Sequence, residues 1–251
     1  MPPLRALVAL GLALAALVAR ADSDALLRDA LAAEARLDSR RALELFLQVQ
    51  PQRPADALVA QKIAQQYSDL IVELPDLEEK KRYAQLALEW SERAVQLDPK
   101  NPVNVLSLAV CHGKLATYSD TRTKVKFSRL VKEEAERALA LDPNYAWAHH
   151  LLGRWHREVA NLGLTARFFV KLFYGGLPSA SVTEAVTHLE RAVALEPTEL
   201  NHHLELGFAY AAAGRPTDAR RAWEHGLAMP NRGKHDEAAK RRAREALPAL
   251  E

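Results

Sequence analysis

Residues 203–230 read HLELGFAYAAAGRPTDARRAWEHGLAMP. Two apolar stripes at helical spacing run through this stretch, one on His203, Leu206, Gly207 and Tyr210, the other on Ala219 and Trp223. Gly207 and Ala219 are small enough to let two antiparallel helices approach closely, while Leu206, Tyr210 and Trp223 fill the space around them. Pro216 suits the first turn of the second helix, where its missing N–H is unpaired in any case. Pro230 ends that helix, because proline lacks the donor and restricts the residue before it.

Working outward, the same unit recurs. His149-x2-Leu152-Gly153-x2-His156 and Val105-x2-Leu108-Ala109-x2-His112 start two earlier copies. Arg93-Ala-Val-Gln-Leu-Asp-Pro99, Arg137-Ala-Leu-Ala-Leu-Asp-Pro143 and Arg191-Ala-Val-Ala-Leu-Glu-Pro197 end three of them, with a weaker ending at Pro51. The terminal prolines are spaced 48, 44, 54 and 33 residues apart. The shortest interval is similar to the tetratricopeptide (TPR) pattern of about 34 residues, and the longer ones read as the same unit with residues added between its two helices. Strand signals are nearly absent. The expected fold is an all-α, TPR-like solenoid of antiparallel helix pairs with an inserted helix and a C-terminal capping helix. Its expected parts are an N-terminal helix pair over 22–51, repeats over 52–233 and a polar cap over 234–251. The insertion covers about 159–181; Thr165–Tyr174 forms its helix, and Gly175, Gly176 and Pro178 break it.

Residues 149–160 (HHLLGRWHREVA) and 172–181 (LFYGGLPSAS) resemble the regulator of microtubule dynamics family. The shared features are a Leu-Gly-Arg-Trp helix, a helical insertion ending in a Gly/Pro/Ser turn, and a repeat helix ending in proline. The resemblance spans about 55–248 and implies a TPR-like helical protein without known enzymatic activity. Members of that family include proteins that are membrane-anchored at mitochondria or endoplasmic reticulum, associate with microtubules, tether organelles or bind phospholipid.

The chain's 251 residues are 49% hydrophobic and 26% charged, with a formal net charge of +2, which excludes a disordered chain. Residues 1–21 (MPPLRALVALGLALAALVARA) combine Arg5, an apolar run over 6–19 and a small-x-small ending, the layout of an export signal. Cleavage near Ala21 sends the protein to the periplasm or cell envelope; an uncleaved segment instead leaves it membrane-anchored. Removing Arg5 and Arg20 leaves 32 basic against 32 acidic residues, a balance that gives nucleic acid no attracting field. The lone Cys111 allows no internal disulfide and reads as a small buried residue.

Motifs for phosphate cradling, zinc peptidase or serine hydrolase chemistry are missing, so no catalytic residues, cofactor or metal are expected. His149 and His203 hold equivalent repeat positions, which favours packing over metal ligation, and no carboxylate or cysteine beside the histidines is evident. TPR arrays bind along the first helices of their pairs. Trp147, His150, Arg154 and Arg157 share one stripe, and Asn201, Leu204 and Phe208 are the counterparts in the next unit. These seven residues are the candidate partner-binding groove, expected to be largely apolar with the arginines at one end. Such a surface suits an amphipathic peptide with an acidic group, or an acyl chain bearing phosphate or carboxylate. Arg154 has a competing role as an anchor for the insertion's carbonyls. Phe168, Phe169 and Phe173 offer a membrane-surface contact, although packing of that helix over the repeat is the favoured expectation. The basic clusters around Lys126 and Lys240–Arg244 read as solvated faces.

Overall fold

The computed structural model describes residues 22–250; the export signal expected at 1–21 lies outside the described residues. Among the described residues all regular structure is helical, with no strand. The helices are α1 (22–35), α2 (Ser39–Val49), α3 (Ala57–Leu70), α4 (Leu77–Leu97), α5 (Pro102–Ala116) and α6 (Thr121–Leu141). They continue as α7 (Ala146–Ala160), α8 (Leu164–Tyr174), α9 (Val182–Leu195), α10 (Leu200–Ala212), α11 (Pro216–Ala228) and α12 (Asp236–Ala246). None of them is long and apolar enough to cross a membrane.

Local sequence explains the starts. Asp38, Asp56, Asp76, Asn101, Asp120 and Ser181 each precede a helix and accept a hydrogen bond from a first-turn N–H. Each such cap stabilises its helix by about 1 kcal/mol.

The chain divides into two compact units at Asp98/Pro99. In the first, α1, α2 and α3 enclose Phe46, Val49, Val59 and Ile63, all fully buried, and Tyr83 and Trp90 of α4 pack against this core. In the second, the antiparallel pairs are α5/α6, α7/α9 and α10/α11, so α7 finds its partner across the insertion. Helix α12 packs on α10 and α11.

The repeat signature has a structural reason at each residue. Ala94, Ala138 and Ala192 are completely buried where the paired helices meet. The arginine before each alanine reaches back to the loop that opens its own pair. Arg93 donates to the Pro54 carbonyl at 3.2 Å, Arg137 to the Pro99 carbonyl at 3.0 Å, and Arg191 to Asn144 Oδ1 at 2.6 Å. Gly153 and Gly207 mark the tightest helix approaches. A Cβ at Gly153 would run into Leu189 and the Ala185 carbonyl, and one at Gly207 into the Trp223 indole. That indole is buried and donates to the Leu204 carbonyl at 3.0 Å, which fixes the α10/α11 contact.

The insertion departs from expectation. Helix α8 does not pack over the repeat: it has no buried residue and touches α6 only lightly. Val170, Tyr174 and the Arg167 guanidinium turn toward the body, because most of the apolar residues occupy the opposite side of the helix. Its anchor is not Arg154 either. Arg129 of α6 donates from Nε to the Gly176 carbonyl at 3.0 Å and also reaches the Tyr174 carbonyl, while Arg167 donates to the Val159 and Ala160 carbonyls at 3.0 Å. Gly175 and Gly176, with φ of 76° and 83°, make the left-handed turn that releases the chain toward α9.

Candidate functional site

Helices α7, α10 and α12 border a cleft of about 170 Å³. Five of the seven sequence-predicted residues line it: His150 and Arg154 from α7, and Asn201, Leu204 and Phe208 from α10. Trp147 and Arg157 do not line it. Trp147 lies against the His150 and His202 rings, with centroids 5.1 and 4.8 Å away. Arg157 turns inward and donates to Glu205 Oε1 from Nε at 3.0 Å and from Nη2 at 2.5 Å.

The cleft is more polar than the expected apolar groove. Leu204 belongs largely to the core, with 2% of its surface exposed. Sequence reading missed Glu205, His235, Ala238, Ala239 and Arg242, which complete the lining. Glu205 is buried and lies 3.6 Å from Arg242 Nη2 as well as against Arg157. Arg242 stacks over the Phe208 ring, 4.7 Å from its centroid. The basic cluster of α12 is therefore not simply a solvated face, since Lys240 is also buried, donating to the Met229 carbonyl. A legible signal existed: Ala238, Ala239 and Arg242 recur at helical spacing and form the inward stripe of α12.

Asp236, buried at the start of α12, accepts from the Arg232 and Gly233 N–H groups at 2.7 and 2.6 Å and from Asn201 Nδ2 at 2.9 Å. Asn201 thus ties α10 to α12 and sets the width of the cleft. Arg154 is half exposed, and its Nε donates to Glu158 Oε1 at 2.8 Å.

His150 Nδ1 and His202 Nδ1 are 3.0 Å apart, so one of these nitrogens donates to the other and both rings are neutral. Burial pushes both histidines down to about 3, assisted at His150 by the charges of Arg154, Arg242 and Arg157 and at His202 by His150 and His203. The Nε2 of fully buried His202 makes no hydrogen bond; the nearest acid, Glu196, is 3.5 Å away.

A second histidine cluster lies between α7 and α9. His149 Nε2–H donates to the Pro143 carbonyl at 3.2 Å, leaving its Nδ1 to accept from His188 Nδ1–H at 2.9 Å. His203 repeats the first contact, donating to the Pro197 carbonyl at 2.9 Å, which accounts for histidine at the equivalent place in both units. Contrary to the sequence expectation, a carboxylate does approach: His156, Glu184 and His188 present ligand atoms within 4.8 Å of one another. Helix α9 brings them together by folding back along α7. The surroundings suit a hydrogen-bonded cluster better than a metal centre. His156 Nδ1 accepts from the Ser181 N–H at 3.4 Å, whereas a ligating histidine donates from its second nitrogen to an oxygen.

The family model for Regulator of microtubule dynamics protein 1-3 matches residues 26–251. The chain belongs to the regulator of microtubule dynamics family. It is 29% identical over 136 residues to regulator of microtubule dynamics protein 3 of Xenopus laevis, covering 54% of this chain and 29% of that protein. Against the human regulator of microtubule dynamics protein 2 it is 26% identical over 190 residues, 75% of this chain and 46% of the relative. The chain spans less than half the length of these relatives. In fold it is similar to a thermophilic TPR protein of Thermus thermophilus, with a TM-score of 0.64, 19% identity, and coverage of 90% of this chain and 99% of that one. The TPR-like architecture of this regulator family member is the frame on which the cleft is built. The Leu-Gly-Arg-Trp run, residues 152–155, combines three tasks: Leu152 is core, Gly153 admits α9, and Trp155 Nε1 donates to the Ser128 carbonyl at 2.8 Å.

Proposed function

We propose that this chain is a non-enzymatic scaffold of the cell envelope, exported through residues 1–21, that holds an acidic side chain or terminus of a protein partner in the α7–α10–α12 cleft. The observation that carries this reading is the pair Arg154 and Arg242 on the rim of an open cleft whose one acid, Glu205, is engaged closely by Arg157 and only at 3.6 Å by Arg242. The exposed Arg154–Glu158 pair is weak and exchangeable, so a ligand carboxylate competes with it readily. Guanidinium–carboxylate recognition can be bidentate, and Phe208 and Ala239 give the adjoining apolar contact.

Size favours a peptide group over lipid chains. Pockets for drug-sized ligands run to about 300–1,000 Å³, and the cleft's 170 Å³ accepts a carboxylate-bearing side chain or a head group. Selection of a displayed peptide library against the purified protein tests the reading. Enrichment of Asp or Glu at one position, abolished by Arg154→Ala together with Arg242→Ala, supports it. Selected peptides indifferent to both substitutions reject the cleft. Phospholipid co-purifying in native mass spectrometry and released by the same substitutions replaces the peptide reading with a lipid-binding one. The family's name raises a microtubule role, and sedimentation with tubulin polymer tests that separately.

A further inference from the structure

The exposed side of α8 is an apolar feature the cleft does not use. Leu164, Phe168, Phe169, Leu172 and Phe173 are 86, 62, 50, 60 and 61% exposed. At about 100° per residue they cover half the helix circumference, on the side away from Val170 and Tyr174. Contiguous apolar surface of this kind on a folded protein marks a contact site.

Charge identifies what covers it. Lys171 borders the apolar arc along one edge, while Arg167, one turn earlier, reaches back to the Val159 and Ala160 carbonyls. Residues 159–183, which include the whole insertion, contain no acid. The facing part of α6 continues the field: Arg122, Lys126 and Arg129 line a cleft shared with Phe173 and Tyr174, and residues 121–132 contain no acid either. Asp120, beside Arg122, caps α6, and Glu136 pairs with Lys132. No ion pair among the described residues takes Lys126 or Lys171. A second copy of the chain docked through α8 would oppose these cations to themselves. Within the arc only Thr165 can hydrogen-bond, so the surface offers little to a partner read by polar contacts.

We propose that α8 is an interfacial helix that lays its Leu/Phe arc into an anionic lipid surface, with Lys171 and the α6 cations Arg122 and Lys126 at head-group level. Apolar burial in the acyl boundary with basic residues on the flank is the geometry by which such helices bind. Arg129, holding the Tyr174 and Gly176 carbonyls, fixes the orientation of α8 on the body. This inference is independent of the cleft: it concerns other helices and a different class of partner.

The test uses the full chain. The apolar run over 6–19 is itself lipid-soluble, so the readout is local to α8 rather than partition of the whole protein. Phe169→Trp places an indole on the arc. The probe is vesicles of 30% phosphatidylglycerol in phosphatidylcholine carrying brominated acyl chains. Expected is a blue shift, and bromine quenching beyond that of the parent's four tryptophans. Lys126→Ala and Lys171→Ala are each expected to weaken the anionic-vesicle response about fivefold, and Phe168→Ser with Phe173→Ser to abolish it. Phe168→Trp, at a still more exposed position, repeats the measurement on an independent variant. An indole that stays unshifted and unquenched at both positions overturns the proposal. So does equal quenching by pure phosphatidylcholine, or a dimer in sedimentation that Phe173→Ser disperses.

Discussion

Arg157 of α7 donates to Glu205 of α10 at 2.5 Å, and 5% of the Glu205 side chain is exposed. Arg242 of α12 approaches the same carboxylate at 3.6 Å, so one acid ties three helices together. Glu205→Gln leaves Arg157, itself only 14% exposed at the side chain, with only the half-exposed Glu158, 3.6 Å away, as counter-charge. Breaking a buried pair from one side costs about 3–5 kcal/mol, whereas replacing both partners by apolar groups is often close to neutral. The expected result is a large fall in the urea midpoint for Glu205→Gln and substantial recovery in Glu205→Leu with Arg157→Met. Equal midpoints for Glu205→Gln and the parent contradict the bridging role.

Arg154 is expected to behave oppositely. Its partner Glu158 lies four residues on along α7, and both side chains are about half exposed. Such pairs contribute about 0.3–0.5 kcal/mol. Arg154→Ala therefore leaves the unfolding midpoint nearly unchanged while removing peptide binding. A midpoint loss comparable with that of Glu205→Gln would make Arg154 structural and withdraw it from the binding site.

The two repeat glycines differ from the insertion glycine in a way that Ala substitution separates. Gly207→Ala pushes a methyl into the Trp223 ring, and Gly153→Ala pushes one against Leu189 and the Ala185 carbonyl. Overpacking of this kind costs about 1–3 kcal/mol, more than the roughly 1 kcal/mol of helix propensity that alanine supplies. Gly163, at the N-terminus of α8, faces nothing within 4 Å, and Gly163→Ala is expected to be neutral. Thermal unfolding of the three variants gives the ranking directly.

What the sequence made legible follows from which residues repeat. The helix pairs could be read because Gly207, Trp223 and the Arg-Ala-x-x-Leu-acid-Pro endings encode packing that recurs in each unit. Five cleft residues could be placed because residues three to four apart on α7 and α10 face the same way. Glu205 and Arg242 were hidden because charged residues usually face solvent, and only the docking of α12 on α10 buries one against the other. The outward face of α8 was hidden for the converse reason. Apolar residues usually point inward, and nothing local in 164–174 records that the body offers only the Val170/Tyr174 side a contact.

Acid sensitivity follows from the His150–His202 pair. Both are held at about 3 in the folded protein, against an ordinary value near 6.5. The groups facing them are the cations Arg154, Arg157 and Arg242 at His150, and His203 with Glu196, 3.5 Å from Nε2, at His202. Between the two values the unfolded chain takes up protons that the folded chain refuses, so stability rises with pH across this window. It is fully present above about pH 6.5 and is lost progressively as the pH falls toward 3. For fully buried His202 the slope is about 1.4 kcal/mol per pH unit. His188, pushed down to about 4 by burial and by its neighbours His149 and His156, acts in the same direction. Urea unfolding followed by tryptophan fluorescence at pH 7.5, 6.0 and 5.0 stays mostly above carboxylate titration. The expected midpoint falls at each step. His202→Phe removes one titrating site and sacrifices the hydrogen bond to His150 and the 3.5 Å approach to Glu196, while keeping a ring against Trp147. Its acid slope is expected to be shallower by one proton. A slope unchanged in His202→Phe assigns the acid loss elsewhere and removes the histidine pair from the account.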